Sequence, residues 1–279
     1  MDIGAYRRRM TIALVTGANQ GLGRALAEGL AGRVDHVLLT GRNPERVAAA
    51  AADLGVEGRV LDVRDRAAID ALAAELGEVD IVFSNATARM TPDDDPADVA
   101  DALIDTSNVA TSAILRAFAP RLRAGGRLIV VASALGTLDK LEASIRPRFA
   151  AVAEQDLDAV DALVEEWRSA VHAGDDRFGE WLNIPSKVAQ VAAVRALARE
   201  RRESDLAQNR LIASLCPGLI DTGASRPWFA DMSRAQTPEQ AAAWPVELVL
   251  GSEFDPAFYG ELVQFGAVIP WETGVPVPA

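Results

Sequence analysis

The chain has 279 residues, 49% of them hydrophobic, and a net charge of −12. The excess of acid argues against nucleic acid or an anionic membrane as a partner, since both select a basic face, while the length and apolar content suit one soluble α/β domain. The single cysteine, Cys216, excludes an internal disulfide and fits a reducing cytoplasm; no apolar stretch reaches membrane-spanning length, and Met1 to Met10 lack the apolar segment of a signal peptide.

Residues 1–10, with the run Arg7-Arg8-Arg9, read as a flexible arm, and residues 11–279 as one folded unit. Strands are predicted near 11–16, 35–40, 57–61, 79–84, 126–132, 209–215 and 262–265. Segments such as 44–54, 66–76, 97–122, 185–202 and 237–250 carry alanine and leucine at helical spacing. Runs apolar at every position, such as Leu128-Ile129-Val130-Val131, imply burial on both faces of a parallel sheet. Right-handed crossovers then give a doubly wound, seven-stranded parallel sheet of the Rossmann-like type.

The first strand runs into Gly17-Ala18-Asn19-Gln20-Gly21-Leu22-Gly23 and then a helical pattern. Gly17 permits a sharp exit from the strand, Gly21 close backbone approach to a pyrophosphate, and Gly23 close packing of helix on sheet. The helix N-terminus would face the anion with free N–H groups. This TGxxxGxG spacing after an N-terminal strand resembles the short-chain dehydrogenase/reductase family, which makes 11–279 a dinucleotide-binding catalytic domain.

The resemblance implies roles along the rest of the chain. Arg42, after the second strand, stands where an arginine can pair with the extra phosphate of NADP(H), or it is an unpartnered surface residue. Asp62-Val63 resembles the adenine-contacting pair. Asn85-Ala86 resembles the Asn-Ala-Gly element, with Thr87 replacing a glycine where it would crowd the cofactor. Pro217-Gly218-Leu219-Ile220-Asp221-Thr222 looks like the loop that bonds the nicotinamide carboxamide, through the Ile220 backbone and the Thr222 hydroxyl.

The family's catalytic set is Asn, Ser, Tyr and Lys. Asn108 matches the asparagine that holds a proton-relay water, or is a polar residue on a helix face. Ser133 lies at the carboxyl end of the fifth strand, where such sheets bind ligands. Lys187 opens the helix that follows and should reach the nicotinamide ribose. The tyrosine position, four residues before it, is Asn183. A carboxamide cannot act as a general acid at neutral pH, although its N–H can donate to an oxyanion. Asn183 either contacts ligand or caps the helix, because Pro185 prefers a first turn and pushes Ile184 out of helical geometry. The only tyrosines, Tyr6 and Tyr259, are not obvious substitutes.

Residues 138–182 form an insertion, with Leu157, Val160, Leu163, Val164, Trp167 and Val171 at helical spacing and Gly174 placed to end that helix. A long insertion here looks like the carbonyl reductase branch, as does the ending from Gly260 through Trp271. In that branch the inserted helix covers the dimer surface, which implies a monomer. His172 is a solvated or packed residue, or an acid that reaches substrate. Trp181, Trp228, Phe229 and Trp244 belong to an aromatic pocket or to the core.

The resemblance therefore implies an NADPH-dependent reductase of a small organic substrate, with no metal. The missing phenol favours an acceptor that needs no strong acid, such as an iminium or an enone, unless water linked to Lys187 supplies the proton to a carbonyl. A non-redox cyclase or lyase, or a catalytically silent NADP-binding protein, are the alternatives, because function lives in the site and not in the fold.

Overall fold

The computed structural model describes residues 10–273, so the expected arm, Met10 apart, and Tyr6 lie outside the described residues. The apolar, β-branched runs form one sheet in the order β3-β2-β1-β4-β5-β6-β7-β8. Its strands are β1 (Ile12–Val15), β2 (His36–Gly41), β3 (Glu57–Val60), β4 (Val79–Ser84), β5 (Leu122–Val131), β6 (Leu211–Leu215), β7 (Leu262–Gln264) and β8 (Ala267–Ile269). The seven expected strands pair in parallel.

The eighth strand is an addition. It pairs antiparallel with β7 across Phe265 (φ 46°) and Gly266 (φ 80°), two positive-φ residues in succession. Two-residue hairpin turns with this backbone usually carry Asn-Gly or Asp-Gly. Phenylalanine in the first place hides the signal.

Helices cover both faces of the sheet: α1 (Gly21–Leu30), α2 (Pro44–Leu54), α3 (Arg66–Leu76), α4 (Pro96–Ile104), α5 (Ala110–Phe118), α6 (Arg146–Ala153), α7 (Leu157–His172), α8 (Asn183–Leu206) and α9 (Pro238–Leu250). Caps set many of their starts. Asn43, Asp65, Asp95, Asp156 and Thr237 each accept a hydrogen bond from a first-turn backbone N–H, at α2, α3, α4, α7 and α9. The segment expected as one helix over 97–122 is interrupted: a π-helical turn, Asp105–Val109, joins α4 to α5. Such wide turns often occur at functional sites.

The insertion packs onto the main body. Trp167 of α7 is fully buried, and α7 contacts α4, α6 and α8. Arg168 fastens it to α4 and the π-helical turn through Asp101 (2.7 Å) and Asp105 (2.5 Å). At the opposite end of the sheet from the glycine turn, fully buried Arg127 donates to the carbonyls of Gly125, Gly126, Asn209 and Gly251. Burial lowers its pKa to about 10, so it remains a cation at neutral pH.

Candidate active site

The strand order reverses between β1 and β4, and the crevice beyond their carboxyl ends is where open α/β sheets bind ligands. Gly17 (φ 63°) and Gly21 (φ 55°) shape the turn that enters it. A Cβ on Gly17 would lie 2.7 Å from the Ala86 Cα, and one on Gly23 would lie 2.5 Å from the Gly17 carbonyl oxygen and collide with the Asn85 amide. Asn85 binds this turn directly: its Nδ2 donates to the carbonyls of Thr16 (2.9 Å) and Gly17 (3.3 Å), and its backbone N–H to the Thr16 hydroxyl (2.9 Å). Asn85 and the Ala86 N–H thus hold the glycine turn in shape, beside the crevice where the resemblance has them meet the cofactor.

The turn suits an anion. Gln20 precedes α1 in extended conformation without a side-chain cap, and no acidic residue occupies the first turn, so the N-terminal N–H groups are left for a ligand. Leu22 is buried, which leaves its backbone as the part that faces the crevice. Asn19 brings its Oδ1 to Gly41, at the end of β2, where a Cβ would lie only 2.6 Å away. The next residue, Arg42, is exposed and has no hydrogen bond or ion pair among the described residues. Asp62 follows β3. The Arg64 guanidinium beside it holds its carboxyl below the usual carboxylate range, with a smaller contribution from Arg42. Val63 is buried.

On the other side of the switch point, the loop after β6 returns over the turn. The Thr222 methyl lies 3.6 Å from where a Cβ on Gly21 would be. The Thr222 hydroxyl meets Ser225 Oγ at 3.1 Å and accepts from the Ala224 N–H. Ile220 is buried and bridges to Gln236; the Gln236 amide donates to the Pro217 carbonyl at 3.3 Å and backs onto Gly218 (φ 83°).

The catalytic-set residues gather at the carboxyl ends of β5 and β6. Ser133 is half-buried and its Oγ accepts from the Leu135 N–H at 3.2 Å, capping a 3-10 turn. Contrary to expectation, Lys187 does not open α8. The helix begins at Asn183, Pro185 falls within the first turn where its missing N–H is harmless, and Leu182 is the cap residue. Asn183 is therefore not the cap. Its half-buried carboxamide has no hydrogen-bond partner among the described residues, and it stands one helical turn before Lys187.

Lys187 Nζ donates to Gln190 Oε1 at 2.7 Å and lies 3.5 Å from the Val131 carbonyl oxygen. Burial without a carboxylate partner pulls its pKa down to about 8, slightly opposed by Cys216. Burial pushes the Cys216 thiol up, and its sulfur accepts from Gln264 Nε2 at 3.1 Å.

The side chain of Asn108 is spent differently from the expected relay. Its Nδ2 donates to the Ser186 carbonyl at 2.8 Å, and its Oδ1 accepts from the Ser186 hydroxyl at 2.9 Å, so the amide clamps the π-helical turn to the residue before Lys187. Thr87 turns its hydroxyl toward Ser107 Oγ at 2.9 Å. Sequence reasoning missed Gln190. Its position, one turn after Lys187, was the available signal, masked by the apolar helix around it.

Several candidates fall outside the site. His172 pairs with Asp101 at 3.0 Å on the outer surface. Tyr259 is buried and donates to Asp205 at 2.7 Å. The four aromatic residues divide. Trp181 packs on Trp228 at 5.5 Å between centroids with the rings tilted by 33°, and Trp228 Nε1 donates to the Met90 carbonyl, so this pair ties the segment just before α8 to the loop after β4. Trp244 packs edge-on against Phe258, and Phe229 is exposed. No helix among the described residues is long and apolar enough to cross a membrane.

Residues 11–145 match the family model described as short chain dehydrogenase. Carbonyl reductase (NADPH) 3 of Rattus norvegicus is 31% identical over 280 residues, covering 93% of this chain and 98% of that protein. Carbonyl reductase (NADPH) 1 of Mus musculus is 29% identical with the same coverage. Among solved structures, salutaridine reductase from Papaver somniferum superposes with a TM-score of 0.76 at 19% identity, over 90% of this chain and 99% of that one.

Proposed function

The chain belongs to the short-chain dehydrogenase/reductase family, and from that premise we propose that it reduces the carbonyl group of a small organic substrate. It is an NADP-dependent oxidoreductase, and its cofactor is NADP(H). The glycine turn and the uncapped start of α1 fit the pyrophosphate, and Arg42 fits the ribose phosphate. Lys187 would hold the nicotinamide ribose, and Ile220 and Thr222 the carboxamide. When bound, the reduced nicotinamide supplies hydride. The protein's own part is to orient the acceptor, exclude water and handle the proton.

One observation carries this reading. The Lys187 ammonium is held at the end of β5, against Val131 and two residues before Ser133, in the same crevice that the glycine turn enters. Ser133 Oγ can donate to the acceptor oxygen while still accepting from Leu135, since a hydroxyl has both functions. The free Asn183 carboxamide provides a second donor, and the Trp181–Trp228 pair an apolar boundary. Enones and imines are further acceptors compatible with a site that lacks a phenol.

The test is nicotinamide oxidation followed with a panel of ketones, enones and cyclic imines, using NADPH and NADH in parallel. NADPH-dependent turnover of at least one class is expected, with activity lost in Ser133→Ala. Tight NADPH binding without oxidation by any acceptor would transfer the case to a non-redox activity on the same fold.

A further inference from the structure

Gln190 is 2% exposed, and its amide is used up. Nε2 donates to the Ser107 carbonyl (3.0 Å) and the Thr111 hydroxyl (3.1 Å), while Thr111 itself donates to the Ser107 carbonyl. With both donors engaged, Oε1 has one orientation, toward the Lys187 ammonium. Flipping the amide would set its NH2 against a cation and its oxygen against the Ser107 carbonyl, and would lose both Nε2 hydrogen bonds, at about 0.5–1.5 kcal/mol each. The Lys187 head is thus fixed in place by a buried network anchored on the π-helical turn.

An ammonium has three donors. One is committed to Gln190; the Val131 carbonyl, at 3.5 Å, lies at the outer limit of a hydrogen bond and holds no donor firmly, so two N–H bonds can face the crevice, one for the nicotinamide ribose and one for the acceptor oxygen. The other candidate acids are occupied elsewhere: Tyr259 with Asp205, His172 with Asp101. Arginine dominates the 28 basic residues of the chain, and lysine occurs only at Lys140 and Lys187. Arginine cannot release a proton near neutral pH, whereas a buried lysine can.

We propose that the Lys187 ammonium, oriented by Gln190, delivers the proton to the reduced substrate in place of the absent phenol. The proposal rests on the carbonyl-reductase reading above. With NADPH as the reductant, hydride adds to the carbonyl carbon and the C=O π pair moves onto oxygen. One Nζ–H bond of Lys187 breaks, its electron pair staying on nitrogen, and an O–H bond forms. The products are an alcohol, oxidised nicotinamide and a neutral amine, which takes a proton back from solvent in the crevice.

A donor works best when its pKa lies near the working pH, and burial brings Lys187 to about 8. The neighbours that face it are the Val131 carbonyl from β5, Cys216 after β6 and, through Gln190, Ser107 and Thr111 of the π-helical turn and α5. Cys216 is the titratable group among them, and burial keeps it a neutral thiol.

Because there are two lysines, the first readout needs no turnover. With 13C-labelled lysine in the cofactor-free protein, the Lys187 signal should titrate with a midpoint near 8. Gln190→Glu, which sets a carboxylate beside the ammonium, should raise that midpoint, and Gln190→Leu should lower it. The second readout is kcat on a ketone, which should fall about tenfold per pH unit above the midpoint and shift up with Gln190→Glu. An N-alkyl iminium, which takes hydride without a proton, should show no such fall. Ketone turnover that is flat from pH 7 to 9.5, or that ignores the Gln190→Glu shift seen by NMR, overturns this proposal and leaves the reductase reading standing. NADPH binding with no turnover of any acceptor overturns both.

Discussion

Asn183→Tyr places a phenol at the first residue of α8, one turn before Lys187, where the two Cβ atoms are about 5–6 Å apart on one helix face. Asn183 makes no hydrogen bond among the described residues, so its loss leaves no partner unpaired, and the folding cost should stay near that of a surface change, about 0.5 kcal/mol. The Lys187 ammonium beside the new phenol would favour phenolate and draw its pKa down. A positioned general acid contributes about 10²–10⁴-fold in rate, or about 3–5 kcal/mol at 1.36 kcal/mol per decade. Since Lys187 is proposed to move a proton already, the gain in kcat/KM on a simple ketone should fall at the low end, about tenfold to a hundredfold. The assay compares wild type and variant at saturating NADPH, with NADPH affinity measured by fluorescence titration. Unchanged NADPH affinity with no gain on ketones would refute the reasoning, because it would mean that position 183 does not look onto the reacting atoms.

Arg42→Ala should remove most of the preference for NADPH over NADH, a charge-assisted contact being worth about 1.5–3 kcal/mol; equal wild-type affinities for the two cofactors would defeat the assignment. Gly23→Ala must displace the Asn85 amide from Thr16 and Gly17, so a stability loss of about 2 kcal/mol is expected together with weaker NADPH binding, and thermal melting at the wild-type temperature would contradict it. The protein is expected to be a monomer, because α7 already covers α4 and α8 with Trp167 and Arg168. Light scattering at micromolar concentration checks this, and a stable dimer would count against it.

Much of the fold was legible because its causes are local. Apolar β-branched runs, helical spacing of alanine and leucine, and the glycine spacing after β1 each act over a few residues, and together they determined the strand–turn–helix units and the seven parallel strands. Where local signals compete, the sequence left the outcome open. Pro185 suggested a helix starting after Ile184, yet a proline is tolerated anywhere in the first turn, and packing placed the start at Asn183. The Phe265-Gly266 turn adopts positive φ at both residues against the preference of phenylalanine, because β8 pairs with β7 across it.

The site's chemistry was decided by contacts distant in sequence. The absence of a phenol at position 183 can be read from the chain alone. That Asn108 is spent on Ser186, 78 residues away, and that Gln190 joins Lys187 to Ser107, 83 residues away, cannot. A polar residue inside a helix has no partner in one dimension. Only when the π-helical turn and α8 close on each other do the buried amides require one, and the pairing they find fixes the lysine and its proton.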